Sequence, residues 1–350
     1  MSEQMRGPMQ HAGPEESTND FTIGIGTVGS SMWFSYDSGA KWRHIYKPVD
    51  GEANVRAVRV DPNNPKRIMA ASDRNGLYRS EDGGRRWYPL ASPIPPCEIW
   101  SLTIDPTDSD RIYVGARPGV WRSIDGGESW KELDMGQSPE CPIGIPRTTN
   151  VVVDPRDPKI LWAGIEVDGI YRSEDGGDSW THINSIGPTQ FHDDIHGLAV
   201  RVHGGGTDVL ATTPFGMARS TDDGISWEWT EFAGFAKGSG IPHAYCRGVF
   251  VQPGHPDTVL VGCGDYIPGA VGGIEVSRDG GQTFNRASLP VDPNSTVYWM
   301  AMHPDVPGVI AASSVFGQIF LSHDSGESWS KLDREFGEIR CITLFPSAVG

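Results

Sequence analysis

Two histidine-containing segments carry the residue types best suited to chemistry. They read HDDIH at positions 192–196 and HAYCR at positions 243–247, and each leads into an expected strand. Imidazole and carboxylate groups bind divalent cations, and imidazoles transfer protons near neutral pH. If the two segments lie side by side, their three imidazoles could bind one zinc or manganese ion. The predicted metal ligands are His192, His196 and His243.

Three interpretations of these segments are open. The first is the metal site, with one of the two aspartates as a further ligand or as a partner that orients an imidazole. The second is proton transfer without a metal, with a tyrosine that donates to a substrate oxygen. The third is that the histidines only pack and form hydrogen bonds. The predicted catalytic residues are His192, His196, His243, Tyr245 and Asp194.

A turn that occurs seven times indicates which elements position these segments. Each copy follows the pattern Ser-x-Asp-x-Gly-x-x-Trp, with Phe284 replacing the tryptophan once, and the aspartates are 43 to 57 residues apart. The Asp carboxylate can accept hydrogen bonds from its own turn, and Gly provides the left-handed backbone that a bulged hairpin loop requires. This period is typical of four-stranded propeller blades. The aspartates are Asp37, Asp82, Asp125, Asp175, Asp222, Asp279 and Asp324.

The repeated turn resembles the Asp box of the BNR repeat family, whose members include sialidases, sortilin-type receptors, xyloglucanases and photosystem II assembly factors. The resemblance covers roughly residues 21–346 and implies an all-β fold, a seven-bladed β-propeller, in one domain from 21 to 350. A strand at 338–345 is expected to complete the first blade beside 21–27 and close the ring. Residues 1–20 are predicted to be a disordered tail. In this family the Asp boxes lie away from the ligand face.

Strand direction separates the two faces of the predicted propeller. Adjacent strands of a blade run antiparallel, so the Asp boxes share one face with the turns that follow each innermost strand. The loops that vary in length fall on the opposite face, at 134–149, 184–195, 233–246 and 265–272. Because insertions confined to one face usually mark the binding face of a repeat protein, we expect the site there.

Counting five residues back from the turn after each innermost strand gives a ring of equivalent positions at the channel mouth. In blade order these are Arg340, Arg56, Trp100, Thr149, His196, Arg247 and Tyr298. Guanidinium groups bind carboxylate or phosphate bidentately, so the ring predicts a small anionic ligand that bears a carboxylate. The predicted substrate-binding residues are Arg56, Arg247, Arg340, Tyr298 and Trp100. The alternative is that internal acids neutralise the arginines; the candidates are Glu98, Glu166, Asp168, Asp265 and Glu338.

Overall composition argues against several classes of partner. A formal net charge of −16 and an isoelectric point near 5.0 disfavour nucleic acid. No apolar run is long enough to span a membrane. The five cysteines contain no CxxC pair and the N-terminus resembles no secretion signal, so we expect reduced thiols and a cytoplasmic location.

Together these features predict a cytoplasmic hydrolase or lyase that acts on a small carboxylate-bearing molecule. One alternative is a non-catalytic propeller that serves as an assembly scaffold for a protein partner. A second alternative is a glycosidase of the sialidase type, although the first blade lacks Arg-Ile-Pro and no convincing Tyr/Glu nucleophile pair is present.

Overall fold

The computed structural model describes residues 21–73, 76–94, 99–183 and 185–347. Within these residues the chain forms 28 strands in seven four-stranded sheets, plus one short 3-10 helix, Gln190–Asp193. The predicted all-β seven-bladed propeller is therefore confirmed. The predicted disordered tail, residues 1–20, lies outside the described residues. In the described part of the chain no helix is long and apolar enough to cross a membrane.

The blades follow one another in chain order, except that the first contains both ends of the described chain. Blade 1 contains β1 Phe21–Thr27, β2 Met32–Ser35, β3 Arg43–Ile45 and β28 Ile339–Pro346. Blade 2 contains β4 Val55–Asp61, β5 Asn64–Ser72, β6 Gly76–Ser80 and β7 Tyr88–Leu90. Blade 3 contains β8 Ile99–Asp105, β9 Asp108–Ala116, β10 Val120–Ser123 and β11 Lys131–Leu133. Blade 4 contains β12 Thr148–Val153, β13 Leu161–Ile165, β14 Gly169–Ser173 and β15 Thr181–Ile183. Blade 5 contains β16 Gly197–His203, β17 Gly206–Thr213, β18 Gly216–Ser220 and β19 Glu228–Thr230. Blade 6 contains β20 Tyr245–Gln252, β21 His255–Gly264, β22 Gly272–Ser277 and β23 Asn285–Arg286. Blade 7 contains β24 Val297–His303, β25 Val306–Ser314, β26 Ile319–Ser322 and β27 Ser330–Lys331.

The two ends of the described chain meet in blade 1, as the sequence predicts. Strand β28 is the innermost strand of the order β28-β1-β2-β3 and pairs antiparallel with β1, from Phe21 opposite Pro346 to Thr27 opposite Ile339. Because blade 1 takes strands from both ends of the chain, hydrogen bonds between β28 and β1 close the ring. The inner edge of β1 is therefore paired and not left open.

The Asp boxes act as hydrogen-bonded staples. In blade 4 the Ser173 hydroxyl oxygen accepts from the Gly177 N–H at 2.8 Å, and one Asp175 oxygen accepts from the Ser179 N–H at 2.8 Å. The Trp180 indole then donates to the Gly177 carbonyl at 3.0 Å. Hydrogen bonds from Ser179 are the main cause that lowers the pKa of Asp175 to about 2. The Ser173 hydroxyl and the Asp175 carboxylate are thus used within the turn, which leaves these two groups no chemistry of their own.

Apolar clusters between neighbouring blades form the core. Between blades 4 and 5, for example, the fully buried Trp162 belongs to one cluster with Ile195. Polar clamps reinforce these interfaces from the Asp-box side: Arg122 of blade 3 donates to the Gly176 carbonyl of blade 4 at 2.7 Å and pairs with Asp178 at 3.1 Å. The blades are thereby held in a fixed order around the channel, which positions the loops of the opposite face.

Candidate functional site at the channel mouth

Local irregularities in the innermost strands turn a set of side chains toward the channel mouth. In six blades the strand pairing skips a position near the mouth, which is the signature of a β-bulge, and bulges re-aim side chains. The skipped residues are Arg56, Trp100, Thr149, Arg247 with Gly248, Tyr298 and Arg340. In blade 5 the equivalent residue, His196, directly precedes β16. These are the positions that counting selects from the sequence, and we call them the mouth ring.

Contacts between neighbouring blades join members of the mouth ring. The Arg56 guanidinium lies 4.4 Å from the centre of the Trp100 ring. The guanidinium groups of Arg247 and Arg340 lie 4.2 Å and 5.8 Å from the centre of the Tyr298 ring. The residues that the sequence predicts as a substrate-binding set therefore fall into two contact groups, one around Trp100 and one around Tyr298, and stacking already engages both of these rings.

A second set of side chains lies two residues before each mouth-ring position, at or just before the start of the innermost strand, and we call it the outer tier. Three of its members contact the mouth-ring residue of the same blade: Glu338 pairs with Arg340, Asp194 lies 3.4 Å from His196, and the Tyr245 hydroxyl lies 3.4 Å from Arg247. Its described members are Glu338, Asn54, Arg147, Asp194, Tyr245 and Thr296.

Internal carboxylates neutralise two of the three predicted anion-binding arginines. Arg56 pairs with Asp73 at 2.7 Å, and Arg340 pairs with Glu338. The third, Arg247, is 5% exposed, and its Nε atom has no hydrogen-bond partner among the described residues. For Arg56 and Arg340, the structure therefore agrees with the alternative that internal acids neutralise the arginines.

The other acids proposed as partners of the arginines have different roles. Glu166 pairs with Arg147 at 3.0 Å. Asp168 accepts hydrogen bonds from Ser138 and Tyr171, and Asp265 accepts from the backbone N–H groups of two loops. Glu98 lies outside the described residues.

Glu166, Asp194 and His196 form a compact cluster at the mouth. One ligand atom from each lies within 4.8 Å of the others, and this is the one such group of metal-ligating side chains in the described part of the chain. His196 is 2% exposed, and its Nδ1 atom lies 2.8 Å from the Cys246 carbonyl oxygen. Because a carbonyl can only accept, Nδ1 carries a proton, and Nε2 faces Asp194 at 3.4 Å.

The two carboxyl groups of this cluster experience opposite pKa shifts. Burial raises the pKa of Glu166, and the Arg147 charge only partly offsets that effect. Burial also acts to raise the pKa of Asp194, but the charge and hydrogen bond of His196, with the charge of Arg247, outweigh it and lower this pKa. Glu166 therefore keeps its proton to a higher pH than an ordinary glutamate, and Asp194 loses its proton at a lower pH than an ordinary aspartate.

The predicted trio of metal-binding imidazoles does not come together. His192 lies in the 3-10 helix, where its ring packs 4.5 Å from that of Trp229 and its Nδ1 accepts from the Thr189 N–H at 3.1 Å. His243 lies 5.3 Å from Phe215, a ring that His192 also contacts. His196 belongs instead to the carboxylate cluster. The short helix is the reason, because it directs His192 over the outer strands of blade 5 rather than toward the channel.

Zinc or manganese binding thus stays a prediction, and its ligand set has to be revised. The cluster of Glu166, Asp194 and His196 offers the right donor types, but Arg147 already compensates one carboxylate. Tyr245 lies beside this cluster, 5.2 Å from the His196 ring, and burial raises the pKa of its hydroxyl. At neutral pH the Tyr245 hydroxyl is therefore protonated and acts as a donor.

Sequence reasoning omitted two participants, Arg147 and Asp73, and named Glu166 as a candidate acid, base or partner of the arginines. A simple signal identifies the first: Arg147 stands two residues before Thr149, as Glu338 stands two residues before Arg340. Asp73 and Glu166 are the first residues after the second strands of blades 2 and 4. Extending the repeat alignment to these positions would have found Arg147 and Asp73.

Comparison with known proteins shows which proteins this chain resembles. A sequence model of the sortilin family (Sortilin, neurotensin receptor 3) matches residues 30–134 and 75–193. Among solved structures, YCF48 bound to D1 peptide has a TM-score of 0.57 at 17% identity, covering 89% of this chain and 92% of that chain. An ancestral GH74 enzyme has a TM-score of 0.60 at 14% identity, covering 83% and 38%. The matches to solved structures show the fold, and the seven Asp boxes on seven blades show the repeat. The chain is an Asp-box (BNR) repeat propeller.

Curated relatives of this Asp-box propeller are named as xyloglucanases. A probable oligoxyloglucan-reducing end-specific xyloglucanase of Neosartorya fischeri is 26% identical over 320 residues, covering 87% of this chain and 36% of that protein. A xyloglucanase of Paenibacillus sp is 25% identical over 343 residues, covering 83% and 32%. The chain thus spans about a third of the length of these relatives, so their activity as whole proteins bears on this propeller only as a proposal.

The relatives correct the predicted substrate and partner. A small anionic, carboxylate-bearing molecule is wrong as the substrate class, because the relatives are named for acting on xyloglucan, a polysaccharide. The geometry agrees with this correction, because Arg56 and Arg340 are already ion-paired with Asp73 and Glu338. The relatives' names support hydrolase chemistry; nothing in them supports a lyase or a sialidase.

Proposed function

We propose that the Asp-box propeller is a glycoside hydrolase that acts on a polysaccharide, with Glu166 as the general acid and Asp194 as the partner carboxylate. The observation that carries this proposal is the close pair of carboxyl groups whose pKa values shift in opposite directions. Glycosidases use one protonated and one ionised carboxyl group beside the bond that breaks. The similarity to xyloglucanases over 87% of the chain supports the same class of reaction.

Each carboxyl group has a defined role in this proposal. Glu166 donates its proton to the glycosidic oxygen as the bond to the leaving sugar breaks, and Asp194 stabilises the positive charge that develops on the sugar ring. Water then adds to the anomeric carbon and gives its proton to the ionised Glu166, which restores the acid. Arg147 holds the Glu166 carboxyl from 3.0 Å without reversing its raised pKa. His196, itself fixed by the Cys246 carbonyl, holds Asp194 and keeps it ionised.

Tyrosines next to the cluster supply a surface suited to neutral sugar rings. Tyr266 is 54% exposed, and its ring lies 6.0 Å from that of Tyr245. An aromatic ring with a polar tip can pack against the apolar C–H face of a sugar and still donate to its hydroxyl groups. The tyrosines therefore favour an uncharged carbohydrate over an anion at this mouth.

The test is hydrolysis by the full-length chain. Release of reducing ends is measured on xyloglucan and on a panel of neutral β-glucans, for the wild type, E166Q and D194N. We expect each variant to lose at least ~100-fold in rate, the low end for general acid–base catalysis. E132Q and D333N make the same chemical changes at exposed positions away from the mouth and should keep full activity. Equal activity of E166Q and E132Q would refute the assignment of the acid.

A second candidate function is the binding of a protein segment. The observation that favours it is size, because the match to YCF48 bound to D1 peptide covers 92% of that chain, whereas the xyloglucanase match covers about a third of the relative. The loops around the mouth also expose apolar side chains, among them Ile145, Phe191 and Phe316. Selection of peptides from a displayed library by the wild type, but not by a variant with Phe191→Ser and Phe316→Ser, would support this function. Full glycosidase activity without peptide enrichment would oppose it.

A further inference from the structure

A cavity of about 510 Å³ occupies the centre of the propeller below the mouth ring. The seven innermost strands line it, from Arg56 and Trp100 at the mouth to His303 and Pro304 at the opposite end. The described residues that line it are mostly valine, alanine, leucine, methionine and proline, and they include no aspartate and no glutamate. The charged side chains that line the cavity are therefore positive, whereas the protein as a whole has a formal net charge of −16.

Arg59 places a guanidinium group in this cavity. It lies three residues after Arg56 on β4, and the equivalent residues of the other blades carry no charge: Thr103, Val152, Ala199, Phe250, Ala301 and Thr343. Its hydrogen bond is to the carbonyl of the preceding residue, Val58, at 3.1 Å. Among the described residues no carboxylate lies within ion-pair distance of Arg59. Burial lowers the pKa of Arg59, although an arginine remains charged at neutral pH.

Two other arginines of the chain have carboxylate partners. Arg201, 6% exposed, pairs with Asp208 at 2.7 Å and with Asp257 at 2.5 Å. At the mouth, Arg56 has Asp73. Arg59 is half-buried and faces a channel whose described walls carry no carboxylate, so an anion that enters the channel is the partner available to its charge. Neighbouring donors are also engaged, since the Thr103 hydroxyl donates to the Val151 carbonyl at 2.6 Å.

We propose that Arg59 binds a small inorganic anion of the size of chloride inside the channel, as a structural counter-ion. A singly charged monatomic ion fits better than divalent sulfate or phosphate, because Arg59 carries the one positive charge among the seven equivalent positions and cannot balance two negative charges. The ion is separate from the mouth, where Arg56 and Arg340 hold internal carboxylates, and it takes no part in the proposed hydrolysis.

The test compares thermal unfolding of the full-length chain in sodium chloride and in sodium gluconate at constant ionic strength. Chloride should raise the midpoint of the wild type by about 2–3 °C, the effect of saturating one site on a chain of this size. R59M keeps an unbranched, flexible side chain but removes its charge, and its midpoint should not depend on chloride. R86M, at an exposed arginine, should respond like the wild type.

A direct measurement covers the case in which R59M folds poorly. Broadening of the ³⁵Cl nuclear magnetic resonance line by the wild type should be competed by bromide and retained in R59K. A wild-type midpoint that is independent of chloride would overturn the proposal, and so would equal line broadening by wild type and R59M. Stabilisation by sulfate but not by chloride would overturn the choice of a monatomic ion.

Discussion

Replacing the pattern glycine of one Asp box, Gly177, should separate two reasons why glycine stands there: its backbone conformation and its contact with the preceding blade. Gly177 has a left-handed backbone with φ of 96°, and a Cβ atom added there would lie 2.6 Å from Leu133 of the preceding blade. Gly136 is also left-handed, with φ of 64°, but a Cβ atom there would meet nothing within 4 Å. G177A and G136A therefore share backbone strain and differ in the clash with the neighbouring blade.

The expected losses follow from these two terms. Left-handed backbone costs an alanine about 1–2 kcal/mol, so G136A should lower the free energy of unfolding by that amount. G177A should lose about 1–3 kcal/mol more, as overpacked cores do, because Leu133 is 3% exposed and surrounded by its own cluster. The total for G177A is about 2–5 kcal/mol.

Urea unfolding followed by tryptophan fluorescence measures both variants against the wild type, with the slope against urea as the check that the same structure unfolds. We expect the free energy of unfolding to be lowest for G177A, intermediate for G136A and highest for the wild type. Equal losses in the two variants would show that contact between the Asp box and the preceding blade contributes nothing, and that the glycine serves the backbone alone. An unchanged G177A would refute the staple description altogether.

Three further outcomes are expected. R147M should move the alkaline limb of the pH–rate profile of hydrolysis to higher pH. The Arg147 charge lowers the pKa of Glu166, so its removal raises that pKa. A general acid works only until the pH passes its pKa. An unmoved limb would contradict this role. Cys141, which is half-buried, should react with a thiol reagent in the native protein, while the three fully buried described cysteines should react only after unfolding, as peptide mapping by mass spectrometry would show. Any stoichiometric zinc or manganese found by metal analysis should be lost in H196A and kept in H192A; the reverse would restore the sequence-based ligand set.

The fold was predictable because its signals are local and repeated. An Asp box such as that around Asp175 forms its hydrogen bonds within seven residues, so each copy is recognisable without knowledge of the rest of the chain. Alternating strand direction then assigns each loop to a face. The mouth ring followed as well, because the bulges at Arg56 and Tyr298 occur at the same count from the following turn.

The partners of the mouth-ring residues were harder to predict. Asp73 reaches Arg56 from a loop after the neighbouring strand, and Arg147 reaches Glu166 across a distance of 19 residues in sequence. The predicted trio of imidazoles does not form for the same reason. His192 and His196 are four positions apart in sequence, and a helical turn in the loop, rather than this spacing, sends their rings apart. Loop conformation carries no periodic signal in the sequence.

The sequence by itself determined the number of blades, the closure of the ring and the face that carries the long loops, since these depend on turn chemistry that repeats every blade. Only the tertiary structure decided which charges meet. Glu166 of blade 4 acquires its raised pKa, and Asp194 before blade 5 its lowered one, from burial and from neighbours on other strands. Those neighbours are set by bulges and ring closure, and electrostatic energies depend on distance through space rather than on separation along the chain.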